Sequence, residues 1–333
     1  MSEPRRLFLH VGLQKTGTSF LQAALLRSRE RLAAHGLDVV PPTKQQCFEL
    51  MVVLRNRYQD HRDPRSDQNT LDRFVAQLAE ASGSRAVYSQ ESMAAMSPAQ
   101  VERLLALVPD REVHVVLTVR DLARQLPSSW QQELKAGGVV DLPAYLERLR
   151  ECEQHRRARN PWIHLEPPAV AARWAKALAP DRIHLVTVPP RGESAALLPE
   201  RFARVLGIDA DLLEPEEHPV NFSLGYPQAE FLRRVNADLP ELAHRRHLYR
   251  DVVKIGFAAQ ILAPQHGRRI LVPERYRDWC ESVTERQVDE LTAAGYAIEG
   301  TLADLAVTEE VFGPADDAPG EAEVAAAAAA AAA

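Results

Sequence analysis

The chain has 333 residues, 46% of them hydrophobic and 26% charged, with a formal net charge of −6. That balance belongs to a globular protein with ample length for a sizeable core, and it excludes bulk attraction to nucleic acid or to an anionic membrane. Three widely spaced cysteines (Cys47, Cys152 and Cys280) exclude a disulfide framework or a Cys-x-x-Cys metal site, and no run reaches the roughly 18 apolar residues of a membrane span.

The N-terminal MSEPRR is followed by an apolar run too short for a signal-peptide core, so a cytoplasmic location is expected. The abundance of Ala, Arg and Leu points to a high-GC bacterial source. Residues 7–11, Leu-Phe-Leu-His-Val, read as a strand. Gly12 to Gly17 reads as a tight turn, and from Thr18 the pattern is helical, with Leu21, Ala24 and Leu25 on one face as far as about Ala34. Strand, glycine-rich turn and helix N-terminus together make an anion cradle. The turn's N–H groups and the helix's first N–H groups point to one place, and the helix dipole adds partial positive charge there. Lys15 supplies a full charge, and Thr16, Thr18 and Ser19 supply hydroxyl donors.

A second strand is expected at 37–40, helices at 45–59 and 71–81, and an exposed loop at 55–69. Residues 85–89 form a strand with Glu91 just past its end, and 98–108 a helix with Pro98 in its first turn. The nearly continuous apolar run 112–119 suits a central parallel strand, and Arg120-Asp121 follows it. Pro127 fits the first position of a helix, which would put Ser128 and Ser129 in its first turn. Then come a charged helix at 141–160, a helix at 169–178, a strand at 182–188 and a helix at 195–206. A loop at 214–225 precedes helices at 226–239, 249–262 and 274–295. The acidic, alanine-rich 309–333 is expected to be disordered or a fraying helix. Alternation of strands and helices means a parallel, doubly wound sheet, whose ligands bind beyond the carboxyl ends of its strands. The turn, Glu91 and Arg120 all fall at such ends.

The turn is not an ordinary nucleotide P-loop, in which lysine follows the second glycine. Here Thr18 follows Gly17 and the lysine stands inside the turn. Gln14-Lys15-Thr16-Gly17-Thr18-Ser19 resembles the 5′-phosphosulfate-binding loop of the sulfotransferases that use 3′-phosphoadenosine 5′-phosphosulfate (PAPS), which in bacterial members typically reads Pro-Lys-Thr-Gly-Thr-Thr. Gln14 and Ser19 depart from it, but the lysine and the backbone donors remain. Arg120 with Ser128 eight residues on resembles the 3′-phosphate motif of the same family, an arginine at a strand end and a serine on the next helix.

The resemblance implies one α/β domain over 1–308, a P-loop-NTPase-like sulfotransferase fold. It has three α/β/α layers, a central parallel sheet of about five strands, and helical insertions at about 45–80 and 140–180. It implies transfer of a sulfuryl group from PAPS to a hydroxyl or amine of a small-molecule, carbohydrate or lipid acceptor, giving PAP, without a metal. Lys15 would meet charge on the leaving phosphate. Lys15, Thr16, Gly17, Thr18 and Ser19 would hold the 5′-phosphate, Arg120 and Ser128 the 3′-phosphate, and Glu91 would act as base. His10 and His114 are rival bases, each also readable as a core residue. Lys135 can face the acceptor or solvent. Asn221, Ser223, Arg268 and Arg269 are further nucleotide candidates, with a Ser223 helix cap and a solvent-facing basic turn as the plainer readings. Trp130, Trp162, Trp174 and Trp279 suit the core or an acceptor cleft. Two other functions compete. One is an ATP-dependent small-molecule kinase, with Asp121 as a magnesium ligand. The other is a non-catalytic PAP-binding module.

Overall fold

The computed structural model describes residues 4–56, 67–155, 162–214, 222–314 and 317–332. The chain divides into two compact units: residues 1–120, 163–218 and 285–306, and residues 121–162, 219–284 and 307–333.

The first unit is built on a parallel sheet. Its strands are β1 (Arg6–His10), β2 (Leu37–Val39), β3 (Arg85–Ser89), β4 (Glu112–Val119), β5 (Ile183–Thr187) and β7 (Ala297–Glu299), in the order β2-β3-β1-β4-β5-β7. The sixth strand, β7, has three residues at the sheet's edge. Side chains alternate between faces as the pleat requires. Leu7 and Leu9 of β1, and Val113, Val115 and Leu117 of β4, enter one apolar cluster, with side chains of α3 (Lys44–Leu54), α4 (Asp67–Glu80), α5 (Pro98–Ala106) and α8 (Pro167–Ala175). Phe8 and Val116 enter the other, with α1 (Thr18–Arg27), α2 (Arg29–Ala34) and α9 (Leu197–Leu206). The result is the expected α/β/α layering, and its inner strands are apolar on both faces because both are covered. The chain builds to one side of β1 through β2 and β3, then crosses to the other side at β4. That reversal is where a doubly wound sheet opens a crevice at its carboxyl edge.

The second unit is helical: α6 (Leu122–Leu134), α7 (Leu142–Gln154), α10 (Tyr226–Asp238), α11 (Pro240–His244), α12 (Arg246–Tyr249), a π-helical run over Arg250–Leu262, and α14 (Glu321–Ala332). A two-residue pairing of β6 (Val272–Pro273) with β8 (Phe312–Gly313) joins them, and α13 (Arg277–Ala294) runs through the division between units at Glu285. One expectation is corrected here. Pro127 does not start a helix. α6 begins five residues earlier because the Asp121 carboxylate accepts from the Arg124 N–H at 2.8 Å, leaving Pro127 inside and Ser128 in the interior. Of the two readings of the tail, disorder or a fraying helix, Glu321–Ala332 takes the helical one. Glu321 pairs with Arg234, Glu323 with Arg268, and Val324 and Ala327 are buried. Acids in the first turn of α14 sit at the positive end of its dipole, which favours the helix further.

Candidate functional site

Both ends of the turn after β1 are fixed by its backbone. Gly12 has φ +43° and Gly17 φ +85°, both left-handed, and Lys15 joins them at φ +68°. A Cβ on Gly12 would stand 2.6 Å from Thr18 Oγ1, so both the dihedral and the space demand glycine. Three left-handed residues in six turn a short stretch of backbone tightly, which packs its N–H groups around a small volume. α1 begins directly behind Gly17, which has no side chain to cap it, and no acid lies in the first turn. Its first N–H groups are therefore available to an anion, and the dipole favours one.

The loop is stapled from beneath. Thr16 Oγ1 donates to the Leu13 carbonyl at 2.7 Å, and Thr18 Oγ1 donates to the same carbonyl at 2.9 Å. Thr16 Oγ1 also lies 2.7 Å from Thr118 Oγ1, on the neighbouring strand β4. The reading of Thr16 and Thr18 as hydroxyl donors to a ligand is corrected. Both side chains are buried and hold the loop, while Ser19 remains exposed. Thr118 went unnoticed in the sequence, although a lone hydroxyl in an otherwise apolar strand beside Arg120 was the available signal.

Arg120 follows β4, and its Nη1 donates to the Lys15 carbonyl at 3.0 Å. This brings the guanidinium of one predicted site residue to the backbone of another, from 105 positions away. His10 pairs in register with Ser89, so the loop after β1 and the segment Gln90-Glu91 leave the sheet side by side. The Gln90 N–H donates to the His10 carbonyl, and Glu91 opens a 3₁₀ turn, Glu91–Ala95, as a half-exposed side chain. Lys15, Arg120 and Glu91 thus share one carboxyl edge of the first unit. Ser128 belongs to the second unit, where its hydroxyl donates to the Arg124 carbonyl at 3.2 Å.

The rival bases are otherwise engaged. His10 is buried, with Nδ1 2.7 Å from Ser89 Oγ and its ring against Phe202, and burial pushes its pKa down to about 3. It stays neutral and packed. His114 lies at the opposite, amino end of β4, between Glu112 at 2.8 Å and His184 at 2.9 Å. Asp121, the magnesium ligand of the kinase reading, caps α6 and pairs with Arg124. Lys135 does not face solvent: it is buried, with Nζ donating to the Phe222 carbonyl and lying over the Phe222 ring.

Of the late nucleotide candidates, Arg268 is likewise committed. Arg268 pairs with Asp317 and Glu323 over the Tyr226 ring, so it is not an open basic turn, whereas Arg269 is exposed. Gly225, not Ser223, is the N-cap of α10, and Asn221 lies outside the described residues. Trp130, Trp162 and Trp174 are core residues. Burial raises the Cys47 and Cys280 thiols to about 12, which makes them poor nucleophiles. Among the described residues, no group of three or more His, Cys, Asp or Glu side chains is placed to hold a metal. No described helix is long and apolar enough to cross a membrane.

No family model matches the sequence. No curated protein matches it at a significant level. Among solved structures, the chain is similar to the crystal structure of a sulfotransferase from Alicyclobacillus acidocaldarius, at 14% identity and a TM-score of 0.41, over 76% of this chain and 96% of that one.

Proposed function

We propose that the protein transfers a sulfuryl group from PAPS to a hydroxyl or amine acceptor. One observation carries the reading: a left-handed, glycine-gated loop feeds an uncapped helix N-terminus, with Lys15 in the loop and Arg120 braced against it. The residues fit a phosphate-bearing ligand, because N–H groups, a helix dipole, an ammonium and a guanidinium all favour negative charge. The loop N–H groups and Ser19 hold the 5′-phosphate. Lys15 neutralises the charge that gathers on it as the bond from sulfur to the bridging oxygen breaks and the acceptor–sulfur bond forms. Glu91 takes the proton that the acceptor loses. Arg120 takes the 3′-phosphate, which separates this nucleotide from ATP. The kinase reading is disfavoured because Asp121 is already spent on a cap and an ion pair.

Calorimetry with PAP in the absence of magnesium, and with ATP plus magnesium, tests the proposal. PAP should bind far more tightly. Arg120→Ala should weaken PAP by about a hundredfold, in line with lost charge-assisted hydrogen bonds. Preference for ATP with magnesium overturns the reading. PAP binding without sulfate transfer to any of a broad acceptor panel would leave a binding module.

A further inference from the structure

Five of the ten large hydrophobic side chains exposed among the described residues fall in one short stretch of the second unit: Leu239, Leu248, Val252, Ile255 and Ile261. The π-helical run Arg250–Leu262 turns Val253, Ala258 and Leu262 inward. It leaves Val252, Ile255 and Ile261 outward, at 51%, 44% and 40% exposure. Such a concentration on one helix marks a surface that meets something. Its setting indicates what. Residues 240–262 hold four basic side chains, Arg245, Arg246, Arg250 and Lys254, against Glu241 and Asp251, with two histidines besides, in a chain whose net charge is −6. Asp251 and Arg250 pair with each other at 2.9 Å, which leaves Arg245, Arg246 and Lys254 against Glu241 in the sequence count. The local sign is therefore opposite to that of the whole molecule.

An apolar helix face with basic residues at its start is the composition of a helix that lies in a bilayer interface. Its hydrocarbon side sinks among acyl chains, and its cations meet lipid phosphates. We propose that this helix is an interfacial anchor, laying the second unit on an anionic lipid surface. Self-association through the same patch fits less well, because residues 252–262 hold no carboxylate that a second copy could offer the basic residues. At 13 residues, the run Arg250–Leu262 is too short to span a bilayer, so the proposed anchor lies on the membrane. The inference stands apart from the nucleotide reading.

The test is flotation of the full chain with phosphatidylcholine vesicles, with and without about 30% phosphatidylglycerol, at about 50 mM and about 500 mM NaCl. The expected result is binding to the anionic vesicles at low salt, weakened about tenfold or more by omitting the anionic lipid or raising the salt. V252D/I255D and R245E/R246E should each weaken it about tenfold, with PAP affinity unchanged. Equal partition with and without anionic lipid overturns the proposal, as does undiminished binding of both variants. So does a dimer in the ultracentrifuge that V252D/I255D splits while vesicles float empty. Should V252D/I255D melt early, R245E/R246E and the salt series decide.

Discussion

The two ends of β4 put polar side chains to different uses. At the carboxyl end, Thr118 and Arg120 reach outward from the strand and bond to the loop that follows β1, one through a hydroxyl and the other at a carbonyl. At the amino end, Glu112 and His114 bond to each other, His114 also to His184, and Glu112 to Arg6 and Arg182. Both ends carry ionisable groups near strand termini, and sequence alone would rank them alike. The carboxyl end differs in that its polar atoms are spent on positioning backbone. A glycine-rich turn has few side chains of its own to hold its shape, so neighbouring strands must supply the constraint.

That contrast can be broken most forcefully at Gly12. Gly12→Ala forces a side chain into a left-handed site and against Thr18, at a cost of about 2–4 kcal/mol. PAP binding should fall more than about a hundredfold by calorimetry, while the amino-end behaviour stays as in the parent.

The amino end has its own signature in pH. Burial, then the neighbouring His114, lowers the His184 pKa from 6.5 to about 4. Above pH 6.5 both folded and unfolded chains hold a neutral imidazole, and its contribution is complete. As pH falls below 6.5 the unfolded chain takes up a proton that the folded one refuses, and stability drops until about pH 4, where the folded form accepts it too. The loss should reach about 1–2 kcal/mol, since solvent around the partly exposed ring screens part of the effect. Urea unfolding of His184→Gln between pH 7 and 4 should show a flatter profile, with PAP affinity untouched; an unchanged profile would remove His184 as the cause.

The smallest effect belongs to Thr118→Val, which removes one hydroxyl beneath the loop. About 1 kcal/mol of stability should go, with PAP affinity down only several-fold, because the Leu13 carbonyl still holds Thr16 and Thr18. A loss as large as that of Gly12→Ala would mean that the strand, not the glycine, sets the loop.

Much of the sheet was legible because its strands are short apolar runs bounded by turn residues, and the loop because glycine spacing and Lys15 leave few other shapes. Three things were hidden. Pro127 reads locally as a helix start, yet Asp121 upstream supplied a cap, and one missing N–H inside a helix of 13 residues is tolerable once the flanking turns are buried. The inward turn of Thr16 and Thr18 depends on Leu13 and Thr118, and no local pattern reports a partner 102 residues away. The tail's alanine run shows no amphipathic pattern. Its helix is held by Arg234 and Arg268 on other segments and by the burial of Val324 and Ala327, none of which its composition reports.

The order of the strands has a consequence for synthesis. β1 leaves the ribosome first, but its two neighbours, β3 and β4, are many tens of residues behind it. Parallel pairing of this kind is slow, because a long loop must close before any ladder bond repays it. Lys15 and Arg120 are 105 positions apart, and Thr16 and Thr118 are 102. The nascent chain therefore carries its glycine turn as loose backbone until β4 is exposed, and a chain interrupted before Arg120 has the motif intact in sequence without the site.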